Sequence, residues 1–199
     1  MRIDKMTTAV LLAAGAGRRL GRGPKALLQF RGTTLVEHLA GVLRAGGCED
    51  IVVVLGSEAP RVSAETQLER YRVLDNPGWD AGMSTSFRLG VGAAAAGNHV
   101  LVALVDQPGL TAATVARLLD SHQTGRVTAA GYQRAGILHR GHPVLFDSSL
   151  VRQAATVASG DSGARAFLRA NPALVDLIDC SDLSDGADVD TPAGLHLLR

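Results

Sequence analysis

The sequence predicts an α/β protein: a single three-layer αβα domain, spanning residues 1–199, with a mostly parallel sheet. Short apolar runs bounded by turn residues recur along the chain, as expected for strands buried on both faces of a sheet. Segments with helical spacing of apolar residues lie between these runs, and such alternation is typical of a parallel sheet covered by helices. A chain of 199 residues, 46% of them hydrophobic, is long enough to bury one substantial core.

Six apolar runs are predicted to be strands. The first run contains about eight apolar residues, and a bilayer-spanning helix requires about twenty. Arginines follow this run at once, which disfavours a signal peptide. The predicted strands are Thr8–Ala13, Ile51–Leu55, Val100–Val105, Val127–Ala130, the shorter Pro143–Phe146, and Leu174–Ile178.

Helices are predicted from the capping residues at their ends as well as from the spacing of their apolar residues. Thr33 or Thr34 can cap the first, and Gly46 follows its last turn. Thr111 can cap a later helix in the same way. The predicted helices are Leu35–Ala45, Ala112–His122, and one that includes the alanine run Ala93–Gly97 and ends at Gly97.

Composition excludes several classes of function. Twenty basic and 19 acidic residues give a net charge of +1, so no overall field attracts the chain to nucleic acid or to an anionic membrane. Any anion site must therefore be local. Cys48 and Cys180 lie far apart, without His or Cys at ligand spacing, and predict neither a disulfide framework nor a zinc site. We expect a cytoplasmic protein with no nucleic-acid or membrane partner.

A loop rich in glycine and arginine follows the first predicted strand, from Leu12 to Lys25. Glycines let backbone N–H groups approach an anion, arginines bind phosphate oxygens in forked pairs, and lysine adds a point charge. Ligands of parallel sheets collect at the carboxyl ends of the strands. The loop therefore predicts a polyphosphate site, with a long solvated loop that binds nothing as the alternative.

Two familiar phosphate-binding loops do not fit this segment. The dinucleotide fingerprint requires a third glycine where Leu20 follows Gly15 and Gly17. The P-loop requires lysine and then serine or threonine where Arg22 and Gly23 stand. A plain NAD-binding protein is therefore disfavoured.

Acidic residues follow the apolar runs in two places. Asp106 directly follows the very apolar run Val100–Val105. Carboxylate oxygens are ligands that Mg²⁺ prefers, so Asp106 is a candidate metal ligand. The alternative is an Asp that only forms a turn or caps a helix. Near the C-terminus, Asp188 and Asp190 offer a second carboxylate, although Asp190 could instead cap a helix that begins at Pro192.

The segment Asn76–Ser86 predicts the acceptor side of a pocket. Gly82 stands at a predicted helix start, with Ser84 and Ser86 on the first turn, and helix N-termini bind anions through free N–H groups. The alternative is an ordinary capped helix with Trp79 buried in the core. For Trp79 alone we favour that alternative.

Six segments together resemble the MobA-like NTP transferase family, within it the molybdenum cofactor cytidylyltransferase-like (MocA-like) branch. They occur in the family's order from residue 12 to residue 192, and imply a Rossmann-like sheet of the nucleotide-diphospho-sugar transferase type. The Gly21–Lys25 stretch is one residue longer than the compact Gly-x-Pro-Lys form of that branch. The matching segments are Leu12–Lys25, Asn76–Ser86, Asp106–Leu110, Gly141–Phe146, Gly160–Arg165 and Asp188–Pro192.

The resemblance implies a role for each matched residue. Arg19, Lys25 and Asp106 would be catalytic, and Asp106 with Asp190 would hold Mg²⁺, with Asp188 in reserve. The implied nucleotide-binding residues are Leu12, Ala13, Ala14, Gly15, Ala16, Gly17, Arg18, Arg19, Lys25 and Asp106. The implied acceptor-binding residues are Gly82, Met83, Ser84, Ser86, His142, Asp161 and Arg165. Without the resemblance, His142 is a weak candidate, and Asp161 could cap a helix and pair with Arg165.

The implied activity is Mg²⁺-dependent transfer of a cytidylyl group from CTP to molybdopterin, which yields molybdopterin cytosine dinucleotide and pyrophosphate. Within the family, alanine rather than glycine at Ala14 goes with CTP. The alternatives are another phosphorylated acceptor, such as a sugar 1-phosphate or a phospholactate-like compound, and a non-catalytic module that binds a nucleotide or a pterin. The resemblance also implies transient contact with a molybdoenzyme or its chaperone.

Overall fold

The computed structural model describes residues 6–199. Met1–Lys5, which begin the predicted domain and the segment weighed as a signal peptide, lie outside the described residues. Seven strands of the described chain form one sheet, and two short strands form a separate hairpin. The strands are β1 (Thr7–Leu12), β2 (Gln29–Phe30), β3 (Thr33–Thr34), β4 (Asp50–Leu55), β5 (Arg72–Asp75), β6 (His99–Leu104), β7 (Val127–Arg134), β8 (Ile137–Phe146) and β9 (Val175–Asp179).

Helices connect the strands of the large sheet. Short 3-10 helices also occur, among them Lys25–Leu27 before β2 and Pro192–Leu198 at the C-terminus. The α-helices are α1 (Leu35–Ala45), α2 (Ala59–Glu65), α3 (Met83–Ala93), α4 (Ala112–Ser121), α5 (Val151–Val157) and α6 (Arg165–Ala170).

The large sheet has the strand order β5-β4-β1-β6-β8-β7-β9. The pairs β5–β4, β4–β1, β1–β6 and β7–β9 are parallel, whereas β8 runs antiparallel to both β6 and β7. The carboxyl ends of β1, β4 and β6 therefore meet at one edge of the sheet. This mostly parallel α/β fold confirms the predicted fold class.

Each face of the sheet carries its own apolar layer. Alternate residues of β1 divide between them: Leu11 packs in the cluster that includes Leu39 of α1, and Val10 packs in the cluster that includes Phe87 of α3. A strand covered on both sides has no polar face, which explains its continuous apolar run. The helices packed on each face and the sheet between them form the three predicted layers.

The predicted bounds of the first helix, Leu35–Ala45, are confirmed, and local sequence signals account for both ends. Thr34 is the N-cap of α1, and Thr34 and Glu37 form a reciprocal capping box. Gly46 follows the last helical residue. Thr111 caps α4 as predicted, although α4 ends at Ser121 because the backbone of His122 is extended.

Several element predictions differ from the structure. The strand predicted as Val127–Ala130 continues to Arg134, and the β2–β3 hairpin was not predicted. The strand β5 was not predicted, because its residues are mostly exposed and form no apolar run. The strand β8 begins at Ile137 rather than Pro143, since its exposed first half pairs with β7. The helix predicted to end at Gly97 is wrong: α3 ends at Ala93, where Ala94 turns extended and buried.

None of the helices within residues 6–199 combines the length and the apolar character needed to cross a bilayer.

Candidate active site

A cavity of about 640 Å³ opens at the carboxyl edge of β1 and β6. Its volume is in the range of small-molecule sites. The loop after β1, the start of α3 and the C-terminal segment contribute most of its lining. The predicted site residues that line it are Leu12, Ala14, Gly15, Ala16, Gly17, Arg18, Arg19, Lys25, Gly82, Met83, Ser86, Asp106, Asp161, Arg165, Asp188 and Asp190.

The loop after β1 is held in place by its own backbone and by one apolar anchor. The N–H groups of Leu20 and Gly21 both donate to the carbonyl of Gly17, at 3.0 Å. Gly17 has a φ of 61°, and a Cβ there would lie 2.3 Å from the carbonyl oxygen of Gly23, so this position requires glycine. Leu20 is buried in the core. The loop therefore presents its arginines from a fixed base.

The turn at the end of β1 also packs tightly against the end of β4. The N–H of Ala13 donates to Val54, and the N–H of Ser57 donates to the carbonyl of Ala14. Ala13 is buried and does not line the cavity, whereas Ala14 does. A Cβ on Gly56 would lie 2.7 Å from the Cβ of Ala14, so the turn after β1 and the end of β4 pack in direct contact.

Lys25 brings two distant acids together at the base of the cavity. Its ammonium donates to Oδ2 of Asp106 at 2.7 Å and also to Oδ1 of Asp190. Arg19 donates to the other oxygen of Asp190 at 3.0 Å. The N–H of Val189 donates to the carbonyl of Asp106 at 2.8 Å, which holds the C-terminal segment beside β6. The three residues predicted to be catalytic and the predicted metal ligands therefore form one cluster.

The charges of this cluster stabilise one another. Desolvation favours neutral Lys25, but attraction to and hydrogen bonding with Asp106, together with the same interactions with Asp190, outweigh it and raise the pKa of Lys25. The hydrogen bond from Lys25 is the main cause that lowers the pKa of Asp190, and Arg19 adds to it. Lys25 is thus an ammonium ion and Asp190 a carboxylate near neutral pH.

Oxygen atoms of the cluster are suited to a metal ion. Oδ1 of Asp106 is buried and has no hydrogen-bond partner. A buried carboxylate oxygen without a partner is unfavourable, and a cation would satisfy it. Asp188 faces another partner, since it accepts a hydrogen bond from Gln107 at 2.8 Å. Desolvation, with the nearby charges of Asp106 and Asp190, raises the pKa of Asp188.

The start of α3 forms the opposite wall. Gly82 precedes the helix with a φ of 113°, and a Cβ there would lie 2.6 Å from the carbonyl oxygen of Gly160. The side-chain amide of Asn76 donates to Ser86 at 2.9 Å, which fixes the first turn. Ser84 and Ser86 are both buried, but of the two only Ser86 lines the cavity, together with Met83.

His142, predicted to bind the acceptor, does not line the cavity. Its carbonyl accepts a hydrogen bond from the hydroxyl of Tyr132 at 2.8 Å. Desolvation, with the positive charges of Arg140 and Arg165, lowers the pKa of His142 to about 4. The ring is therefore neutral near pH 7. Arg165 and Asp161 do line the cavity, and Asp161 lies in a 3-10 turn rather than at a helix N-cap.

Four residues of the cavity were not among the predicted site residues: Leu104 and Val105 from the end of the β6 run, and Trp79 and Asp80. The last two come just before Gly82. The guanidinium of Arg18 lies over the indole of Trp79, 5.6 Å from the ring centroid. The preference for Trp79 in the core was therefore wrong. Its position inside the matched Asn76–Ser86 segment was the signal that could have identified it.

Fold and site together define a nucleotidyltransferase: a mostly parallel α/β sheet with a glycine-rich, basic loop and paired carboxylates at its carboxyl edge. The chain belongs to the family described as "MobA-like NTP transferase domain", whose model matches residues 9–175. The predicted family is thus confirmed, and with it a transferase enzyme.

Two relatives have names that indicate different activities, one an oxidoreductase and the other a guanylyltransferase. "Nicotine blue oxidoreductase" of Paenarthrobacter nicotinovorans is 54% identical over 194 residues, which cover 96% of this chain and 95% of the relative. A "probable molybdenum cofactor guanylyltransferase" of Opitutus terrae is 33% identical over 116 residues, which cover 58% of this chain and 55% of the relative.

Solved structures share the fold over nearly their whole length. A nucleotidyl transferase from Methanothermobacter thermautotroptrophicus superposes with a TM-score of 0.83 at 24% identity, covering 98% of both chains. Rv0371c of Mycobacterium tuberculosis H37Rv, solved in complex with manganese, has a TM-score of 0.78 at 27% identity and covers 97% of this chain and 98% of its own.

Proposed function

We propose that the cavity binds a nucleoside triphosphate, preferably CTP, and with Mg²⁺ transfers its nucleotidyl group to a phosphorylated acceptor. Molybdopterin is the first acceptor to test. One observation carries the proposal: Lys25 bridges Asp106 and Asp190 at the base of a glycine-rich loop. Residues 1–199 would act as one domain in the cytoplasm, where free thiols such as the buried Cys48 and Cys180 persist.

The basic side chains would bind the triphosphate. Arg18 and Arg19 are exposed at the cavity, and Lys25 lies deeper. Exposed guanidinium groups can bind phosphate oxygens in pairs, and a buried ammonium supplies a stronger local charge. Backbone N–H groups between Gly15 and Gly17 would receive the remaining phosphate oxygens.

The residues present fit a magnesium ion. Asp106 and Asp190 supply carboxylate oxygens, one of which is buried without a partner, and Lys25 already places a positive charge between them. When bound, Mg²⁺ would neutralise phosphate charge and orient the triphosphate. We expect Lys25 to leave the carboxylates on metal binding and to turn toward the phosphates.

The reaction needs no covalent intermediate with the protein. A phosphate oxygen of the acceptor attacks the α-phosphorus in line, the bond from that phosphorus to the bridging oxygen breaks, and pyrophosphate leaves with the electron pair. Arg19 and Lys25 would stabilise the charge that develops on pyrophosphate. The acceptor phosphate is ionised near pH 7, so no general base is required.

The preference for CTP is supported by the crowded turn near Ala14. The methyl group of Ala14 lines the cavity beside Trp79, and a Cβ on Gly56 would contact both residues. A pyrimidine requires less width than a purine at such a wall. The acceptor would lie toward Gly82 and Arg165, on the opposite side.

The test is release of pyrophosphate by the purified protein with Mg²⁺ and each of CTP, GTP, ATP and UTP, with and without molybdopterin. We expect release to require both CTP and acceptor and to be lost in Asp106→Asn. The matched control is Asp120→Asn, which changes an exposed acid on α4 and should retain full activity. Loss of activity in both variants, or release without acceptor dependence, contradicts the proposal.

A second candidate follows from the relative that is 54% identical over nearly the whole chain: reduction of nicotine blue or a similar conjugated pigment. The electrons would come from a reduced nicotinamide dinucleotide, whose diphosphate could use the same backbone between Gly15 and Gly17. The need for a metal ion distinguishes the two candidate functions, because reduction of the pigment requires no metal ion bound by carboxylates. Oxidation of NADH or NADPH that depends on the pigment and persists in Asp106→Asn with excess chelator would favour the reductase.

A further inference from the structure

A second cluster of metal-ligating side chains lies at the edge of the sheet opposite the active site. His99 begins β6, His122 directly follows α4, and Asp147 directly follows β8. Val100 pairs with Phe146 in the antiparallel β6–β8 ladder, which brings His99 and Asp147 to the same edge. At about 3.3 Å per residue along β6, this edge lies about 20 Å from Asp106.

Asp147 is a buried carboxylate that is held in one orientation. Its side chain is 1% exposed, and its Oδ1 accepts hydrogen bonds from the N–H of Ser149 at 2.8 Å and from the Ser149 hydroxyl at 2.5 Å. Desolvation raises the pKa of this carboxyl, but the hydrogen bonds from Ser149 lower it, and the N–H of Gly125 also acts on the carboxylate and helps to lower its pKa. Oδ2 of Asp147 is buried and has no hydrogen-bond partner, with Nδ1 of His99 3.5 Å away. A buried carboxylate oxygen in this state calls for a cation.

His122 presents a second buried atom to the same place. Its Nδ1 lies 2.8 Å from the hydroxyl of Thr128, and its Nε2 is buried without a partner. Histidines that bind metal usually hydrogen-bond through the other ring nitrogen to an oxygen, which fixes the ring. Desolvation and the neighbouring His99 lower the pKa of His122 to about 4, so the ring is neutral near pH 7.

His99 completes the arrangement. Its ring packs edge-to-face against that of His122, with centroids 4.7 Å apart. Its Nδ1 accepts the N–H of Ser148 at 3.1 Å, and this hydrogen bond must break for either ring nitrogen of His99 to bind an ion. One ligand atom from each of His99, His122 and Asp147 lies within 4.8 Å of the other two. Ligands of tetrahedral zinc lie about 3.4 Å apart, so closure by about 1.4 Å suffices.

We propose that His99, His122 and Asp147 bind a divalent ion of the zinc class, separate from the carboxylates of the active site. Two imidazoles and one carboxylate are a ligand set that suits Zn²⁺, with a water molecule in the fourth position. The ion ties the first residue of β6 to the ends of α4 and β8. It therefore stabilises the fold at the edge remote from the cavity.

The test uses the full chain after treatment with a chelator. Cobalt titration should give the intense visible absorption of four-coordinate Co²⁺, and zinc should remove that absorption by competition. The cobalt absorption should persist in the double variant Asp106→Asn/Asp190→Asn, which removes the two carboxylates of the active site. His122→Gln should weaken binding by at least about tenfold, because losing even a residue that only orients a ligand costs about 10–100-fold. His139→Gln, an exposed histidine on β8, is the matched control and should bind normally.

Two outcomes overturn the proposal. One is cobalt absorption that disappears with Asp106 and Asp190, and the other is unchanged affinity in His122→Gln. If His122→Gln does not fold, zinc X-ray absorption of the unmodified chain with one equivalent of zinc decides the question. Two imidazole ligands support the site, and fewer than two contradict it.

Discussion

The ammonium group of Lys25 lies 2.7 Å from Oδ2 of Asp106, with both side chains largely buried. The pair joins the loop after β1 to the end of β6. Asp190 joins it from the C-terminal segment, so a cation lies between two carboxylates at the base of the cavity. In the proposed reaction, this arrangement keeps the acids together until metal and triphosphate arrive.

Replacement of that ammonium tests its part in transfer. We expect Lys25→Met to lower kcat/KM for nucleotidyl transfer by about 10²–10³, the usual cost of removing one preorganised group that stabilises developing charge. Steady-state pyrophosphate release measures it. Arg22→Met, an exposed change in the same loop, is the control. Equal effects of the two changes would argue against a specific role for Lys25.

The base preference should depend on one methyl group. We expect Ala14→Gly to raise the ratio of kcat/KM for GTP over that for CTP by about tenfold or more, the scale of discrimination that one methyl or methylene provides. The ratio is measured with both nucleotides and one acceptor. Ala16→Gly removes a methyl group from the same loop and should leave the ratio unchanged. If Ala14→Gly leaves the GTP-to-CTP ratio of kcat/KM unchanged, the proposed binding position of the base beside Ala14 is contradicted.

Gly82 should matter more for the acceptor than for the nucleotide. In Gly82→Ala, a Cβ at a φ of 113° would meet the carbonyl of Gly160 at 2.6 Å and push apart the wall assigned to the acceptor. The strain is about 1–3 kcal/mol. We expect a lower Tm and a larger rise in KM for the acceptor than for CTP.

Gly92 provides the matched control for that substitution. It lies in α3, and a Cβ there meets nothing within 4 Å. Gly92→Ala should leave both KM values unchanged and stabilise the protein by about 0.4–1 kcal/mol, because alanine reduces the entropy of the unfolded chain. Equal effects of the two substitutions on the KM values would contradict the proposal that the wall at Gly82 binds the acceptor.

The capping box of α1 predicts a pH-dependent contribution to stability. Desolvation would raise the pKa of Glu37, but hydrogen bonds from Thr34, Gln67 and Thr33 lower it from 4.5 to about 2. A pKa that is lowered on folding stabilises the protein above the unfolded value, and that stability is lost as pH falls from about 4.5 toward 2.

Glu37→Gln should therefore cost about 1 kcal/mol at pH 7, as the loss of a cap does, and progressively less as the pH approaches 2. Urea unfolding at pH 7, 4 and 3 measures the difference. Glu69→Gln, an exposed acid, should show no such trend. A Glu37→Gln cost that is independent of pH would refute the ionic part of this contribution.

Helix ends and buried strands were predictable because their causes are local. Thr34, Glu37 and Gly46 satisfy the ends of α1 within a few residues, so sequence alone predicts its bounds. The strand β5 was not predictable in this way. Its exposed residues become a strand because they pair with β4, and that pairing partner lies outside any local window.

Candidate site residues were predictable by type, but not all by position. The motifs named Lys25, Asp106 and Asp190, whereas Trp79 was assigned to the core and Asp80 was not named. Ser84 and Ser86 were both predicted to bind the acceptor, yet only Ser86 lines the cavity although both are buried. Which side of a short helical turn faces a cavity depends on how the helix packs.

The sequence by itself determined the α/β class, the family and the loop that begins at Leu12. The spacing of apolar residues, the capping residues and the order of the motifs can all be read from the sequence without knowing the fold. Only the tertiary structure decided that Lys25 bridges Asp106 and Asp190, and that His99, His122 and Asp147 converge at the other edge. The physical reason is that both groupings depend on strand order and on the antiparallel insertion of β8. Strand order is set by packing between distant segments, which local sequence patterns do not encode.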